Sequence, residues 1–359
     1  MLQCAPSLPT LNPDFPHDTA PIRAEERFDQ SRVAEYLRAR LPDVGGDVEI
    51  SFEQFPGGKA NLTYLVRAGS QEFVLRRPPL GPVAPGSHDM AREHNVLSRL
   101  WRQFPHAPRA HLFCDDPDVM DKPFFVMDRV HGYVVRDEWP QDIDEARRRA
   151  VSESLVDTLV RLHAVDSADV DLSEIGKPVG FVERQVAGWT DRWNRAKTRD
   201  LNDMDESAAL LKGSVPEPQA ATLLHNDFKL DNTMIDHEAK VVAVLDWDMA
   251  TLGDPLVDVG TMLAYWAAPQ DAIAMLVGTD AVTLTPHMDR VEVGNRYAAG
   301  TGFDLSNVDY YLALAYFRIA VITEQIYGRF LAGHTNDARF EALGPLVPSL
   351  AASARSALG

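Results

Sequence analysis

Asp227, Asn232 and Asp246 have the types and spacing that magnesium-assisted phosphoryl transfer requires. They lie in Leu223-Leu224-His225-Asn226-Asp227-Phe228-Lys229-Leu230-Asp231-Asn232 and in Val244-Leu245-Asp246-Trp247-Asp248. In that chemistry charge spreads over the transferred group, so catalysis is mainly positioning plus electrostatic stabilisation. A base must face the acceptor hydroxyl and two ligands must face the metal. Asp227 is set to accept the hydroxyl proton, with Asn232 and Asp246 set to hold magnesium. Asp227 and Asn232 are five residues apart, a spacing that a tight loop folds so that carboxylate and amide converge.

Short buried strands must position these groups. Thr222-Leu223-Leu224 precedes the loop and Val241-Val242-Ala243-Val244-Leu245 follows it, each apolar and bounded by polar turns. Thr233-Met234-Ile235-Asp236 reads as a strand and His237-Glu238-Ala239-Lys240 as a hairpin turn, returning the chain so that Asp246 lies near Asn232. Two other readings stand beside this one. His225-x-Asp227 can be two ligands of a hydrolase metal centre, and an Asp-Asn pair can be turn chemistry. The first wants more ligands nearby, and His237 sits in a polar turn; the second does not supply the apolar-flanked carboxylate of Asp246. Cys4 and Cys114 are the only cysteines, which argues against a cysteine-based centre.

His225-x-Asp227-(x4)-Asn232 and Asp246-Trp247-Asp248, with Gly253-Asp254-Pro255 and Asp258 behind them, resemble the aminoglycoside phosphotransferase family of protein-kinase-like enzymes. The resemblance runs from about Glu49 to about Arg329. It implies an α+β, two-lobed protein-kinase-like fold, with a small antiparallel-sheet N-lobe and a larger, mainly helical C-lobe. It also implies Asp227 as catalytic base, Asn232 and Asp246 as magnesium ligands, and His225 as a structural residue of the catalytic loop. Asp258 would support that loop by accepting backbone hydrogen bonds. Independently, Asp254-Pro255 fits a capping carboxylate followed by proline at a helix start. Many members carry glycine where this chain has Asn226, whose side chain is expected to narrow the loop. Lys229 stands where protein kinases carry their catalytic-loop lysine; it either neutralises the transferred phosphate or is a solvated surface lysine.

Upstream, Ile50 to Phe55 and Leu62 to Val66 look like two strands joined by Pro56-Gly57-Gly58-Lys59-Ala60-Asn61. Gly57, Gly58 and Asn61 are candidate phosphate contacts, since glycine permits close backbone approach. The segment lacks both the full protein-kinase glycine pattern and the Gly-Lys-Ser/Thr of a P-loop. A third strand, Glu72 to Arg77, puts Val74 and Arg76 on one face and Phe73, Leu75 and Arg77 on the other. Arg76 is therefore the candidate nucleotide-phosphate cation, a planar fork where kinases carry lysine. A helix over roughly Asp89 to Gln103 carries Glu93, which resembles the family's pairing partner for that cation. By the same resemblance, Pro123 to Gly132 is the edge strand and hinge, where backbone groups at Met127, Asp128 and Val130 would bind adenine.

The 359 residues, 45% hydrophobic, suit two lobes. We expect an irregular N-terminal arm over 1–28, rich in proline (Pro6, Pro9, Pro13, Pro16, Pro21), an N-lobe over 29–130 and a C-lobe over 131–359. A helix from Ser31 to Leu41 is capped by Asp29 or Ser31. The two cysteines form no disulfide framework, and no signal peptide or membrane-spanning run stands out, so a cytoplasmic protein is expected. The net charge of −18 divides as −4 over residues 1–140 and −14 over 141–359, which disfavours nucleic acid as a partner. An acidic C-lobe can attract cationic aminoglycosides.

Phe181 to Trp193, continuing to Arg195, Lys197 and Arg199, is by contrast basic and aromatic. It resembles a segment of the subfamily that includes kinase domains fused to certain acyl-CoA dehydrogenases, as do Arg76-Arg77-Pro78-Pro79 and His225-Asn226-Asp227-Phe228. Those relatives imply a hydroxyl-bearing acyl-CoA or related acid as acceptor. Tyr310 to Leu331 reads as a core helix from which Arg318 and Glu324 can reach the acceptor, and period two places Asp248 on the side of Asp246. The sequence thus reads as an ATP- or GTP-dependent, magnesium-requiring phosphotransferase acting on a small-molecule hydroxyl. An antibiotic kinase and a nucleotide-binding pseudokinase-like regulator are the alternatives, and the oligomeric state stays open.

Overall fold

Period-two alternation of side chains between two buried faces shapes the first of two compact units. In the computed structural model, which describes residues 18–42, 44–56, 61–81, 88–136, 139–266, 271, 273–274, 288–333 and 338–359, this unit extends to Gly132 and includes Val242–Asp248. Its strands are β1 (Ile50–Gln54), β2 (Leu62–Ala68), β3 (Gln71–Arg77), β4 (Ala110–Cys114) and β5 (Phe124–Asp128). They pair antiparallel in the order β1-β2-β3-β5-β4. One face of β3 presents Phe73 and Leu75 to a core shared with Val33 and Leu37 of α1 (Gln30–Arg38). Arg77 is on that face too, fully buried, donating from Nη2 to the Tyr64 hydroxyl (2.8 Å) and the Glu26 carbonyl (2.5 Å). The opposite face sends Arg76 toward Glu93 of α2 (Met90–Leu100), whose Val96, Leu97 and Leu100 are buried.

Capping carboxylates fix where these helices begin. Asp29 accepts from the Arg32 N–H (3.0 Å) and Asp89 from the Arg92 N–H (3.0 Å), each satisfying a donor left free at a helix start. Of the two expected caps for α1, Asp29 is the one used. The stretch expected as an irregular arm lies in part outside the described residues, including Cys4, Pro6, Pro9, Pro13 and Pro16. From residue 18 onward it is tied down: Ala20 bridges Gln54, and the Phe28 ring meets the edges of Phe52 and Tyr64.

The second unit comprises Tyr133–Val241 and Met249–Gly359. Among the described residues its helices are α3 (Glu145–His163), α4 (Phe181–Ala196), α5 (Asn202–Gly213), α6 (Leu256–Tyr265), α7 (Arg290–Thr301), α8 (Val308–Leu331) and α9 (Leu346–Ala357). Its short strands are β6 (Thr222–Leu224), which pairs antiparallel with β9 (Thr251–Gly253), and β7 (Thr233–Ile235). The chain leaves β7 through a turn closed by the Asp236 N–H on the Lys240 carbonyl (2.9 Å) and enters β8 (Val241–Val244). The α8 helix packs on α6, α4 and α9. Its pattern differs from a simple apolar stripe: Ile322 is exposed, whereas Arg318 and Glu324 are buried. No helix of the described residues is long and apolar enough to cross a membrane.

Gly260 lets α6 and α8 touch. A Cβ there would overlap the Tyr311 carbonyl, and backbone cannot swing aside as a flexible side chain can. Gly260→Ala is expected to cost about 1–3 kcal/mol and to lower the melting temperature by several degrees. An unchanged melting curve would contradict this account of the packing.

Candidate active site

The loop after β6 is held from its backbone. Asp258, on α6, accepts the His225 N–H on Oδ2 (2.8 Å) and the Asn226 N–H on Oδ1 (2.6 Å). Behind it, His163 of α3 places Nε2 3.3 Å from Asp258 Oδ2 and Nδ1 2.6 Å from the Tyr297 hydroxyl. Asn226 has φ +67°, a left-handed conformation that asparagine tolerates better than most side chains and that explains why glycine also suits the position. Arg318 donates to Asn226 Oδ1 (3.1 Å) and to its carbonyl (2.9 Å), so the side chain is tied into the loop's support.

Asp227 follows directly. Asn232, at the end of the 3-10 turn Leu230–Asn232, donates its amide to the Asp227 carboxylate and carbonyl, both at 2.9 Å. With its nitrogen so engaged, the amide leaves its oxygen as a hard donor of the kind that suits magnesium. The Lys229 ammonium lies 3.4 Å from Asp227 Oδ2 and 3.7 Å from Asp231, over the Tyr265 ring at 4.6 Å. That side chain is 17% exposed, which rules out a freely solvated surface lysine. Burial pushes the Asp227 carboxyl above its ordinary range while Lys229, His225 and Arg318 pull it back. Burial disfavours the Lys229 charge, but Tyr265, Asp227 and Asp231 outweigh it and raise its pKa. The His225 ring is fully buried, edge-on to Phe228, with Nδ1 accepting from the Asp227 N–H (3.3 Å). This geometry suits a structural residue and not a metal ligand, and it weighs against the hydrolase reading.

The first unit assembles a second group of the candidate residues. Arg76 Nε lies 3.2 Å from Glu93 Oε2, and Nη2 contacts Asp246. With its oxygen turned toward the guanidinium, the Asn61 amide accepts from Arg76 Nη2 (2.6 Å) and Nε (3.1 Å) and donates to His88 Nδ1 (2.8 Å). Asp246 has φ +67°, a local cost of the kind that clusters at functional sites. The buried Trp247 anchors the segment through its N–H to Glu93 Oε1 (3.3 Å) and its indole to the Val244 carbonyl (2.8 Å). A 3-10 turn begins at Trp247, so the period-two argument that aligned Asp248 with Asp246 does not apply. Gly57 and Gly58 lie outside the described residues.

One guanidinium thus pairs with two carboxylates, Glu93 and Asp246. Burial pushes the Glu93 carboxyl up to about 7, Arg76 opposing and Asp246 and Asp248 adding to the rise. Against its ordinary 4.5, the folded chain keeps a proton that the unfolded chain has lost. Its stabilising share is therefore full below the unfolded value and is lost as pH rises through about 7. Glu93→Gln in nucleotide-free protein should flatten the fall of melting temperature across that window; an unaltered slope would assign it to other groups.

At the expected hinge, the Asp128 N–H donates to the Arg109 carbonyl (2.9 Å) and its carboxylate pairs with His111 (2.6 Å). Met127 pairs with both Val74 and Ala110 in the sheet. Met127 and Asp128 are thus engaged within the sheet, and Val130 lies beyond the end of β5.

Residues 51–293 match the model of the phosphotransferase enzyme family, APH. The chain belongs to that family. Rat acyl-CoA dehydrogenase family member 11 is 31% identical over 329 residues, covering 90% of this chain and 42% of that protein. Mouse acyl-CoA dehydrogenase family member 10 is 31% identical over 338 residues, covering 93% and 31%. The chain therefore spans about two fifths or less of the length of these relatives. A Ralstonia eutropha protein assigned to the aminoglycoside phosphotransferases superposes with a TM-score of 0.78 at 27% identity, covering 92% of this chain and 98% of that one. Macrolide 2'-phosphotransferase type I shares the fold, with a TM-score of 0.58 at 18% identity over 91% and 98%.

In this phosphotransferase several supporting residues escape motif reading. Tyr265 under Lys229, and His163 and Tyr297 behind Asp258, carry no local signature. Arg318 does carry one: a single arginine inside the buried apolar run Ala313 to Val321 signals a paired internal charge.

Proposed function

We propose that this phosphotransferase moves the terminal phosphate of ATP or GTP to a hydroxyl of a small molecule, with a hydroxyl-bearing acyl-CoA or a related acid as acceptor. The observation that carries this reading is Asp227, a carboxylate 30% exposed, oriented by the Asn232 amide and flanked by the Lys229 ammonium. The acceptor oxygen bonds to the terminal phosphorus, the bridging P–O bond breaks, and the nucleoside diphosphate leaves with that bond's electrons. Asp227 orients the hydroxyl and receives its proton, and Lys229 offsets charge on the transferred group. Asn232 and Asp246 supply oxygen ligands that suit magnesium, which when bound neutralises charge on the phosphates. Arg76, held by Glu93 and Asn61, binds nucleotide phosphate, and Val130, with Met127 and Asp128 before it, receives the base.

The acceptor class rests on two supports. The curated relatives are acyl-CoA dehydrogenase family members, matched over nine tenths of this chain. In α4 the exposed Arg192 stacks on Trp189 at 4.3 Å, a cation on an aromatic face that suits an anionic ligand. The rest of the basic run is partly committed elsewhere: Arg184 donates to the Val179 and Lys177 carbonyls, Lys197 pairs with Asp200 and Arg199 with Glu324. The acidic balance of residues 141–359 favours cationic aminoglycosides instead. The test is transfer from Mg-ATP or Mg-GTP to hydroxyacyl-CoAs, aminoglycosides, macrolides and choline-like alcohols. Phosphorylated hydroxyacyl-CoA alone is expected. Transfer to an aminoglycoside would move the acceptor to the antibiotic class, and nucleotide binding without any transfer would favour a regulator.

A further inference from the structure

We infer that Arg318 is a positioning residue for phosphate transfer: from α8 it fixes the peptide that joins Asn226 to Asp227 and so sets where the Asp227 carboxylate stands. The inference rests on the phosphotransfer reading given above. Arg318 is 5% exposed in the middle of a buried helix, a placement that costs several kcal/mol for a charge unless it is well paired. Both of its hydrogen bonds into the loop go to one residue, Asn226, at Oδ1 (3.1 Å) and at the backbone carbonyl (2.9 Å). That carbonyl belongs to the peptide immediately before Asp227. The peptide on the other side of Asn226 is held through its N–H by Asp258 at 2.6 Å. An anion and a cation therefore grip the two peptide planes around a residue at φ +67°. With both planes fixed the Asp227 N and Cα are placed, and the Asn232 amide on the Asp227 carbonyl (2.9 Å) holds the following peptide, so that together they set the direction of the Asp227 Cα–Cβ bond.

Arginine is specifically suited to this task. Its planar fork reaches two acceptors from a rigid head, whereas lysine offers a point charge on a flexible stem. The guanidinium also lies over Trp189, its central carbon 5.4 Å from the ring centroid, and Trp189 carries Arg192 at 4.3 Å. Burial pulls the Arg318 pKa down while Asp227, Asp258 and Tyr265 oppose that pull. No step requires Arg318 to touch substrate; its effect passes through Asn226.

Arg318→Lys and Arg318→Met separate positioning from mere support. Steady-state kinetics, Mg-nucleotide calorimetry and amide hydrogen exchange by mass spectrometry would be read together. The expected result is nucleotide affinity within about twofold of the parent, with kcat lowered about 10-fold in Arg318→Lys and about 100-fold in Arg318→Met. Exchange should accelerate in the 223–230 peptide and stay unchanged across α3. Parent-like kcat and loop exchange in Arg318→Met would overturn the inference. So would a loss confined to nucleotide KM, or exchange accelerated throughout the protein in both variants. If the parent itself transfers phosphate to no acceptor, the phosphotransfer reading fails, and the inference that serves it falls for that separate reason.

Discussion

Replacing Asp227 with asparagine or alanine is expected to lower phosphate transfer by about 10²–10⁴-fold while leaving the fold and nucleotide binding nearly intact. The loop does not depend on this side chain for its path. Its anchors are the His225 and Asn226 N–H groups on Asp258 and the Asn226 carbonyl on Arg318. Asn232 keeps one of its two bonds, to the Asp227 backbone carbonyl at 2.9 Å. Lys229 retains Asp231 and the Tyr265 ring. What disappears is the only acceptor in this arrangement proposed to receive the hydroxyl proton. Asparagine is the sharper variant because it preserves size and a carbonyl oxygen for Asn232 while removing basicity. Single-turnover transfer with calorimetry of Mg-nucleotide binding checks the split, and turnover retained in Asp227→Asn would exclude it as base.

Asp246→Asn should weaken nucleotide binding at least about tenfold in magnesium and leave metal-free binding unchanged. The proposed ligand set has only two protein oxygens, one of them neutral, so losing the carboxylate removes its negative charge. Arg76 would still have Glu93 and Asn61 as partners, so its place in the sheet survives. Asparagine is preferred to alanine here. At φ +67° alanine adds a backbone cost of roughly 1–2 kcal/mol, which would blur the comparison. Calorimetric titration with and without magnesium decides: an equal loss in both conditions would make Asp246 a partner of Arg76 and not a metal ligand.

Local pattern carried much of the architecture into view. Alternation along β3 separated Arg76 from Arg77 before any contact was known, and the two side chains do enter different cores. The helix start at Asp29 and the strands around the loop follow from capping and periodicity, and the Asp258 bonds to the loop backbone are those that the family resemblance implied. Contacts between residues far apart were a different matter. Arg318 and Asn226 are 92 residues apart, and the apolar run around Arg318 announces a buried partner without naming it. Lys229 could be read two ways because its aromatic neighbour, Tyr265, sits at the end of another helix. A strand period could not place Asp248, which lies in a 3-10 turn, yet its charge acts on Glu93 alongside that of Asp246. Val242–Asp248 joins the compact unit that ends at Gly132, a grouping set by the Val244 N–H on the His106 carbonyl (2.7 Å) and by Trp247 on Glu93.

The most direct measurement is phosphorus NMR of the parent and Asp227→Asn proteins with Mg-ATP and a hydroxyacyl-CoA. The account predicts that the parent converts the terminal phosphate into a phosphomonoester on the acceptor hydroxyl and that the variant forms none at matched nucleotide occupancy. A phosphomonoester formed equally fast by Asp227→Asn would contradict the assigned base. A parent that binds Mg-ATP yet forms no phosphomonoester on this acceptor or on any other in the panel would contradict transfer itself.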